Sequence, residues 1–392
     1  MWHDFPYLAL LGVAVFGSLT STVFAGMVVA GMWKHLGRAA DKADFTPPLS
    51  LLKPLHGSEP DLEAHLATFF EQDYPAYEIL FCARDAEDTG LAAARRVAER
   101  YSHVPARFFW TGEPKYINAK VHSMELMAAE AAHEILVISD SDVRVTAGYL
   151  RAVAAPFENA QVGAMTCLYR GVAAQGGFWA RLEGVGMSVE MTAGVLVANL
   201  LEGMKFVLGP TMAVRRECVA AMGGMGVIGD FCSDDFLLGN LVFAQGRAVV
   251  LSAHVIDHLI LNSGFVDSLK HQVRWMKSTR FSRPKGHFGT SLTFAMPFGL
   301  LGLGTAWGLG HPVLGAGLLG WSLLTRWGIA WAAGRLVVRD PDLFGLLVLY
   351  PLRDLMGFGF WAASYFSSRI LWRGRVYDLL PGGRMRAAHS AQ

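Results

Sequence analysis

The stretch ILVISDSDVRV, residues 135–145, decides the fold. It begins with four apolar residues, mostly β-branched, and Asp140 and Asp142 follow one residue apart. A short apolar run that ends abruptly in acids is typical of a buried strand reaching the edge of its sheet. The pattern therefore predicts a strand at residues 135–138 with two carboxylates at its carboxyl end.

Upstream of this stretch, strand-like apolar runs alternate with segments of helical spacing. Strand and helix are predicted in turn over residues 48–55, 61–70, 77–83, 91–101, 106–110 and 120–132. This β-α-β-α order predicts an α/β domain with a mostly parallel sheet and helices on both faces. Ligands of such sheets bind at the carboxyl ends of the strands.

Acidic residues mark this predicted ligand-binding edge. Asp85 follows the strand at residues 77–83, and Asp140 and Asp142 follow the strand at residues 135–138. No G-x-G-x-x-G motif follows the first predicted strand, and no G-x-x-x-x-G-K-[ST] P-loop motif occurs anywhere in the sequence. A D-x-D pair can hold Mg²⁺, which in turn holds a diphosphate. A solvated turn is the alternative, but the position at a buried strand end favours the metal.

Two later stretches carry further candidates. In CSDDFLLG, residues 232–239, Asp234 and Asp235 precede an apolar helix, and a helix N-cap is the alternative role for Asp234. Residues 269–286 are basic and contain Arg274 and Trp275. They also fit a basic helix on anionic lipid, which does not exclude Arg274 and Trp275 from the site.

Histidines and cysteines give no further metal site. His254 and His258 stand four residues apart, but their segment is strand-like and offers no third ligand. The cysteines form no C-x-x-C pair and are predicted to be reduced thiols, not a disulfide frame or a zinc site; they are Cys82, Cys167, Cys218 and Cys232.

The composition indicates a membrane protein with a soluble part, since hydrophobic residues make up 53% of the chain and charged residues 17%. Residues 7–33 contain no charged residue and no histidine, and a helix of this length spans a hydrocarbon core of about 30 Å. Lys34 and Arg38 follow, so the positive-inside rule places the next part of the chain in the cytoplasm. The net charge of +1 does not indicate a nucleic acid as a partner.

Three apolar segments near the C-terminus, residues 291–310, 312–334 and 343–366, predict further spans. The third carries Arg353 and Asp354 in its middle. Three full crossings would put the basic tail outside, against the positive-inside rule. A re-entrant or split third segment is the alternative, so two to three C-terminal spans are predicted.

These features divide the chain into five predicted parts. In order they are an N-terminal transmembrane anchor, a catalytic domain, a basic interfacial segment, a C-terminal membrane region and a basic tail, at residues 1–34, 35–268, 269–289, 290–372 and 373–392. We expect an integral membrane protein whose domain at residues 35–268 lies in the cytoplasm.

Taken together, the motifs resemble those of membrane-bound ceramide glucosyltransferases and their bacterial relatives, which include enzymes that glycosylate hopanoid lipids. The resemblance rests on KPLHGSEPDLEAHLATFFEQDYPAYEILFCARD at residues 53–85, followed in order by DSDVRV, SDDF and HQVRW. It implies a GT-A (Rossmann-like) glycosyltransferase fold, Mg²⁺ or Mn²⁺ as the metal, and a UDP-sugar donor such as UDP-glucose. It further implies transfer, with inversion, to a lipid hydroxyl, with ceramide or a hopanoid-like lipid as acceptor. The bacterial relatives imply a location in a bacterial inner membrane.

The resemblance also implies residue roles. Asp140 and Asp142 hold the metal, and Asp235 is the general base. Arg274 is predicted to stabilise charge on the leaving UDP. Trp275 is predicted to line the acceptor or the sugar ring, with core or interface packing as the alternative. The residues predicted to bind the donor are Lys53, Asp85, Lys120, Asp140, Asp234 and His271. For Lys120, an ordinary lysine at a helix start is an equal alternative.

The chain departs from the family pattern at two places. His271 stands where the family has Gln or Arg, and it can still donate a hydrogen bond. Ceramide enzymes have a His in the segment that matches residues 186–192, where this chain has Glu190 and Met191. The acceptor therefore stays open, with a hopanoid glycosyltransferase using UDP-N-acetylglucosamine as an alternative. The motifs also fit a processive polysaccharide synthase and a non-catalytic, sugar-nucleotide-binding membrane scaffold.

Overall fold

The computed structural model describes residues 4–37, 45–261, 264–372 and 374–388. The chain forms two compact units, each assembled from segments that are distant in sequence. The first unit comprises Met1–Gly37, Gln175–Leu201 and Asn262–Ile370, and the second comprises Arg38–Ala174, Glu202–Leu261 and Leu371–Gln392.

An eight-stranded sheet forms the centre of the second unit. Its strands are β1 (Leu49–Pro54), β2 (Tyr77–Ala83), β3 (Ala106–Trp110), β4 (Ile135–Ile138), β5 (Val143–Arg144), β6 (Val162–Ala173), β7 (Met212–Arg215) and β8 (Ala248–Ile260). Their spatial order is β3-β2-β1-β4-β7-β6-β8-β5. The remaining strands, β9 (Arg369–Trp372), β10 (Arg375–Leu379) and β11 (Met385–Ala387), form a small sheet of order β11-β10-β9.

The first four strands are parallel, as predicted. Beyond β4 the sheet becomes mixed, because β7 runs antiparallel to both β4 and β6, and β5 runs antiparallel to β8. Every residue of β2 and β4 is buried, which explains why these strands read as continuous apolar runs.

The α-helices surround this sheet or belong to the first unit. In chain order they are α1 (Phe5–Leu36), α2 (Leu62–Phe70), α3 (Thr89–Arg100), α4 (Ala119–Glu130), α5 (Tyr149–Ala154), α6 (Phe178–Val185), α7 (Thr192–Leu201), α8 (Arg216–Ala221), α9 (Asp234–Ala244), α10 (Phe265–Ser282), α11 (Pro284–Thr290), α12 (Met296–Gly308), α13 (Pro312–Ile329) and α14 (Leu343–Ala363). π-Helical turns at Gly186–Met191 and Ala330–Val337 join α6 to α7 and extend α13. Asp88 and Asn118 cap α3 and α4 with their side chains, as acids and amides commonly do.

Four helical segments of the described chain are long and apolar enough to cross a membrane: Phe5–Leu36, Phe178–Leu201, Pro312–Val337 and Leu343–Ala363. The predicted span at residues 291–310 is wrong, since α12 has only 13 residues. At about 1.5 Å per residue it covers roughly 20 Å, less than a hydrocarbon core of about 30 Å. The chain is an integral membrane protein with two such segments near its C-terminus.

The sequence did not predict the apolar helical segment Phe178–Leu201. It lies inside the predicted catalytic domain in sequence, but its contacts place it in the first unit. The chain enters it after β6 and leaves it before β7, and these strands pair with each other. A segment whose two ends join one sheet cannot cross a bilayer a single time. Its apolar surface is therefore not that of a single transmembrane span.

The C-terminal membrane region also lies between two strands of one unit. It begins after β8 and ends before β10, and both strands belong to the second unit. In the described chain between them, Pro312–Val337 and Leu343–Ala363 are long and apolar enough to cross a membrane. Residues 374–388 of the basic tail therefore belong to the same unit as the eight-stranded sheet.

The charges inside the last apolar segment are paired. Helix α14 is continuous despite Pro351, so a split third segment is the wrong alternative. Asp354 lies 2.7 Å from the Arg326 guanidinium and also accepts hydrogen bonds from the backbone at the start of α12. Arg353 lies 3.1 Å from Glu190. Buried ionic groups of this kind require such partners.

Candidate active site

Three of the predicted donor-binding residues meet at the carboxyl end of β4. Lys120 Nζ, in the first turn of α4, lies 2.6 Å from Asp140 Oδ1 and 3.6 Å from Asp234 Oδ2. Burial lowers the pKa of Lys120, but the two carboxylates outweigh burial and raise it above its usual value. These contacts favour a role for Lys120 in the site over that of an ordinary lysine at a helix start.

Asp234 is not the N-cap of its helix, because Ser233 occupies that position. Its Oδ1 instead accepts a hydrogen bond of 3.3 Å from Asn118 Nδ2. Asn118 is 1% exposed and caps α4 just before Lys120. One buried amide therefore links the start of α4 to the start of α9.

Asp235, the predicted general base, is held by main-chain amides. Its Oδ2 accepts a hydrogen bond of 2.9 Å from Gly209 N, and its Oδ1 accepts one of 2.7 Å from Phe236 N. Burial, followed by repulsion from Asp234, raises the pKa of Asp235 to about 6, although Lys120 and the two amides act in the opposite direction. The carboxylate is thus ionised at neutral pH and remains basic enough to accept a proton.

Gly209 leaves a space that is bordered by two of the carboxylates. A Cβ placed on this residue would lie 3.4 Å from Asp140 Oδ2 and 3.5 Å from Asp235 Oδ2. The absence of a side chain at this glycine therefore keeps the region between the predicted metal ligand and the predicted base open to a ligand.

Gly209→Ala is expected to keep the fold and to lower kcat/KM about tenfold, because small displacements of reacting groups are costly. The added methyl group would sit at ordinary contact distances from both carboxylates, so it fits sterically but fills the space between them. Steady-state kinetics and a thermal melt measure the two effects. Gly148→Ala is the matched control, since a Cβ there meets nothing within 4 Å. An unchanged kcat/KM in Gly209→Ala would show that this space is not used.

Asp142 pairs with a histidine that lies far away in sequence. Its Oδ2 is 3.1 Å from His258 Nε2, because Val143 of β5 pairs with His258 of β8. Burial acts to raise the pKa of Asp142, but His258 and the nearby lysines lower it below its usual value. Among the described residues, Asp142 Oδ1 is buried and has no hydrogen-bond partner.

The carboxylates fit a divalent cation that is shared with a substrate. Within the described ranges, no three Asp, Glu, His or Cys side chains form a complete metal site. An ion bound by Asp140 and Asp142 would take its other ligands from a diphosphate and water, as Mg²⁺ commonly does. The unpartnered oxygen of Asp142 and the excess of carboxylates over lysines at this edge fit such an ion.

Lys53 lies beneath the site on β1 and is 0% exposed. Its Nζ donates a hydrogen bond of 2.5 Å to the Asp140 carbonyl and lies 3.8 Å from the centre of the Phe69 ring. Burial lowers its pKa to about 7. Through these contacts Lys53 supports the main chain at the end of β4, and its predicted contact with the donor stays a prediction.

The sequence did not predict two side chains at this edge of the sheet, Glu59 and His258. Glu59 accepts a hydrogen bond of 3.0 Å from Ser141 Oγ, and burial raises its pKa to about 7. The position of Glu59, an acid in the loop after the first strand, could have indicated that it lies at the ligand-binding edge. His258 had been considered only as a ligand together with His254, and the register of β5 against β8 was needed to place it beside Asp142.

Asp85 lies at the same sheet edge as the other acids, just past β2, and its side chain is exposed. One strand, β1, separates β2 from β4 in the sheet. This position at the ligand-binding edge is compatible with the predicted contact to the nucleotide.

The remaining predicted residues lie on α10, in the first unit. His271 Nδ1 is 2.7 Å from the buried carboxylate of Glu183, and the His271 ring lies 4.3 Å from the Trp275 ring. Ser268 Oγ donates a second hydrogen bond to Glu183. Glu183, which was not predicted, therefore orients His271, while the roles of His271, Arg274 and Trp275 stay predictions.

The chain is similar to known glycosyltransferases over most of its length. The family model described as glycosyl transferase family 21 matches residues 13–385. Ceramide glucosyltransferase 1 of Caenorhabditis elegans is 23% identical over 354 residues, which cover 88% of this chain and 74% of the relative. A ceramide glucosyltransferase of Komagataella phaffii is 32% identical over 106 residues, 26% of this chain and 21% of the relative.

A solved structure supports the fold. The mannosyltransferase of Pyrobaculum calidifontis in complex with GDP-mannose and Mn²⁺ has a TM-score of 0.53 at 18% identity, and the match covers 91% of this chain and 97% of that chain. The predicted GT-A fold is thereby confirmed.

Proposed function

Because the chain belongs to glycosyl transferase family 21, we propose that it transfers glucose from UDP-glucose to a hydroxyl of a membrane lipid, ceramide in the first instance, with inversion. One observation carries this proposal. Asp235 is held by two main-chain amides and borders the same space as Asp140 at Gly209. A base and a cation-binding acid that face one space suit a displacement at a sugar carbon.

Asp235 accepts the proton of the lipid hydroxyl while that oxygen attacks the anomeric carbon. The new C–O bond forms on the face opposite the diphosphate, whose own C–O bond breaks, so the configuration inverts and UDP leaves. The hydrogen bonds from Gly209 and Phe236 fix the orientation of the carboxylate. General bases of this kind contribute about 10²–10⁴-fold to the rate.

Asp140, Asp142 and Lys120 bind the diphosphate end of the donor. Mg²⁺ or Mn²⁺, when bound by Asp140 and Asp142, supplies positive charge that stabilises a departing diphosphate. Lys120 adds a fixed cation 2.6 Å from Asp140. On this proposal Asp85 contacts the nucleotide and Arg274 shares the charge of the leaving UDP.

The membrane segments support a lipid acceptor. The relatives named above are ceramide glucosyltransferases, and a hydroxyl at the lipid surface requires a catalytic unit that is tethered to the membrane. We place this unit in the cytoplasm of a bacterial cell, on the side of Lys34 and the arginine-rich tail. Only two long apolar helices follow the eight-stranded sheet in the described part of the chain, which supports single transfer over processive synthesis through a channel.

The decisive test is an activity matrix on detergent-purified protein with Mg²⁺ or Mn²⁺. UDP-glucose, UDP-galactose and UDP-N-acetylglucosamine are each combined with ceramide, diacylglycerol and a hopanoid polyol. We expect glucosylceramide with a β-linkage from the α-linked donor. If product forms only from UDP-N-acetylglucosamine and the hopanoid polyol, both the donor and the acceptor of the proposal are wrong. Binding of UDP-sugars without any product would instead favour the non-catalytic scaffold.

A further inference from the structure

The loop that leads into helix α9, residues 229–233, is held on one side by the start of α4. Asn118 N donates to Gly229 O at 2.8 Å, and Asn118 Nδ2 donates to Phe231 O at 3.2 Å. Asp230 Oδ1 also accepts a hydrogen bond of 3.5 Å from Ile117 N. The 229–233 loop runs directly into Asp234 and Asp235, so its position sets theirs.

The other side of this loop is held by the C-terminal segment of the chain. Met385 N donates to Asp230 O at 2.7 Å, and Cys232 N donates to Gly383 O at 3.1 Å. Phe231 and Arg384 form an antiparallel bridge between these bonds. Arg384 Nη2 also lies 3.3 Å from Asp230 Oδ2. The C-terminal segment thus adds a short strand to the loop that carries the predicted base.

This segment is folded into the second unit. Leu379 and Met385, which face each other in the pairing of β10 with β11, are each 2% exposed. The turn between them contains Gly382 and Gly383 with φ values of 80° and 84°, a conformation that other residues rarely adopt. Residues 375–388 are therefore an integral part of the unit, whereas the sequence indicated only a basic tail.

We infer that strands β10 and β11 are a positioning element for Asp235. They act through the 229–233 loop. Asp230 of this loop also connects them to the start of α4, which carries Lys120, through its hydrogen bond with Ile117. When the bonds from Met385 and to Gly383 are lost, the loop loses two of its main-chain bonds and keeps those from Asn118 and Ile117 and the exposed pair of Arg384 with Asp230. The inference rests on the proposed function in one respect, namely that Asp235 is the base.

The test removes one main-chain donor, together with most of the buried Met385 side chain. Met385→Pro deletes the N–H that bonds to Asp230 O. Arg384 already has φ −67° and ψ 139°, the extended conformation that a following proline requires, and β11 is an edge strand of its sheet, where proline is tolerated. Met385→Ala is the matched control, since it keeps the N–H and, like proline, loses most of the buried Met385 side chain.

We expect kcat of Met385→Pro to fall about tenfold, with the KM for UDP-glucose unchanged within about twofold. Hydrogen exchange at residues 229–235 should rise more in Met385→Pro than in Met385→Ala. Where Met385→Pro fails to fold, Arg384→Ala replaces it, and Arg386→Ala, which changes an exposed arginine of β11, is its control. A smaller fall in kcat, about twofold to threefold, is expected there because the Arg384 ion pair is solvent-exposed.

Two outcomes would overturn the inference. The first is increased exchange at residues 229–235 with an unchanged kcat. The second is a parallel loss of kcat, substrate affinity and melting temperature in both members of a variant pair, which indicates general destabilisation. If wild-type protein transfers no sugar to any acceptor, the proposed function fails separately. Exchange at residues 229–235 then still decides whether the C-terminal strands hold the loop.

Discussion

Asp235→Asn is expected to lower kcat by about 10²–10⁴-fold, the usual contribution of a general base. The substitution preserves shape, and the amide oxygen can still accept one of the two main-chain hydrogen bonds, so the fold should be retained. What is lost is the ability to take the proton of the acceptor hydroxyl. Glycolipid formation under saturating substrates measures the effect, and binding of UDP to the variant checks that the donor site is intact.

The pH dependence provides an internal control for this variant. The pKa of Asp235 is raised to about 6, and only the ionised carboxylate can accept a proton. In wild-type protein kcat/KM should therefore fall about tenfold per pH unit below about pH 6 and level off above it. The residual activity of Asp235→Asn should lack this acid limb. Retention of the limb would assign it to another group, and Glu217→Gln, an exposed pair with Arg247, serves as the matched surface control.

Asp140→Asn is expected to lower kcat by about 10²–10³-fold, the size typical for loss of a group that stabilises transition-state charge. The variant loses a proposed metal ligand and leaves Lys120 with Asp234 as its nearest carboxylate, at 3.6 Å. Unlike Asp235→Asn, it should also weaken the joint binding of Mn²⁺ and UDP. Calorimetric titration of UDP with and without Mn²⁺ separates the two variants.

Chelation complements this substitution. Wild-type protein should lose activity in excess chelator and regain it when Mg²⁺ or Mn²⁺ is restored, whereas Asp140→Asn should respond to neither treatment. Asp73→Asn is a suitable control, since Asp73 is an exposed carboxylate paired with Arg151. Full wild-type activity in chelator would exclude the proposed role of Asp140 and Asp142 in holding a metal.

The elements that the sequence predicted well are those with strong local patterns. The strands Tyr77–Ala83, Ala106–Trp110 and Ile135–Ile138 have the predicted bounds, because apolar β-branched and aromatic runs between polar turns specify short buried strands. Asp140 and Asp142 lie at the strand end where the pattern placed them. Position along the chain is enough to assign a residue to the edge of a parallel sheet.

The membrane region was predicted less well, because hydropathy measures composition and not the path of the chain. Residues 291–310 are apolar, yet the helix begins only at Met296, where Asp354 caps its first amides. The apolar segment Phe178–Leu201 lies between two paired strands, which excludes a single crossing. Both facts depend on contacts between segments that no local window contains.

By itself the sequence determined the GT-A strand and helix pattern, the acids at the strand ends and the family, since each depends on residues close together in the chain or on ordered motifs. Tertiary structure alone decided which of these groups meet. Lys120 reaches Asp140, His258 reaches Asp142, and the C-terminal strands reach the loop before Asp235. The physical reason is that these contacts are set by strand order, by the antiparallel register of β5 against β8 and by the closing of a long chain on itself, which local periodicity does not encode.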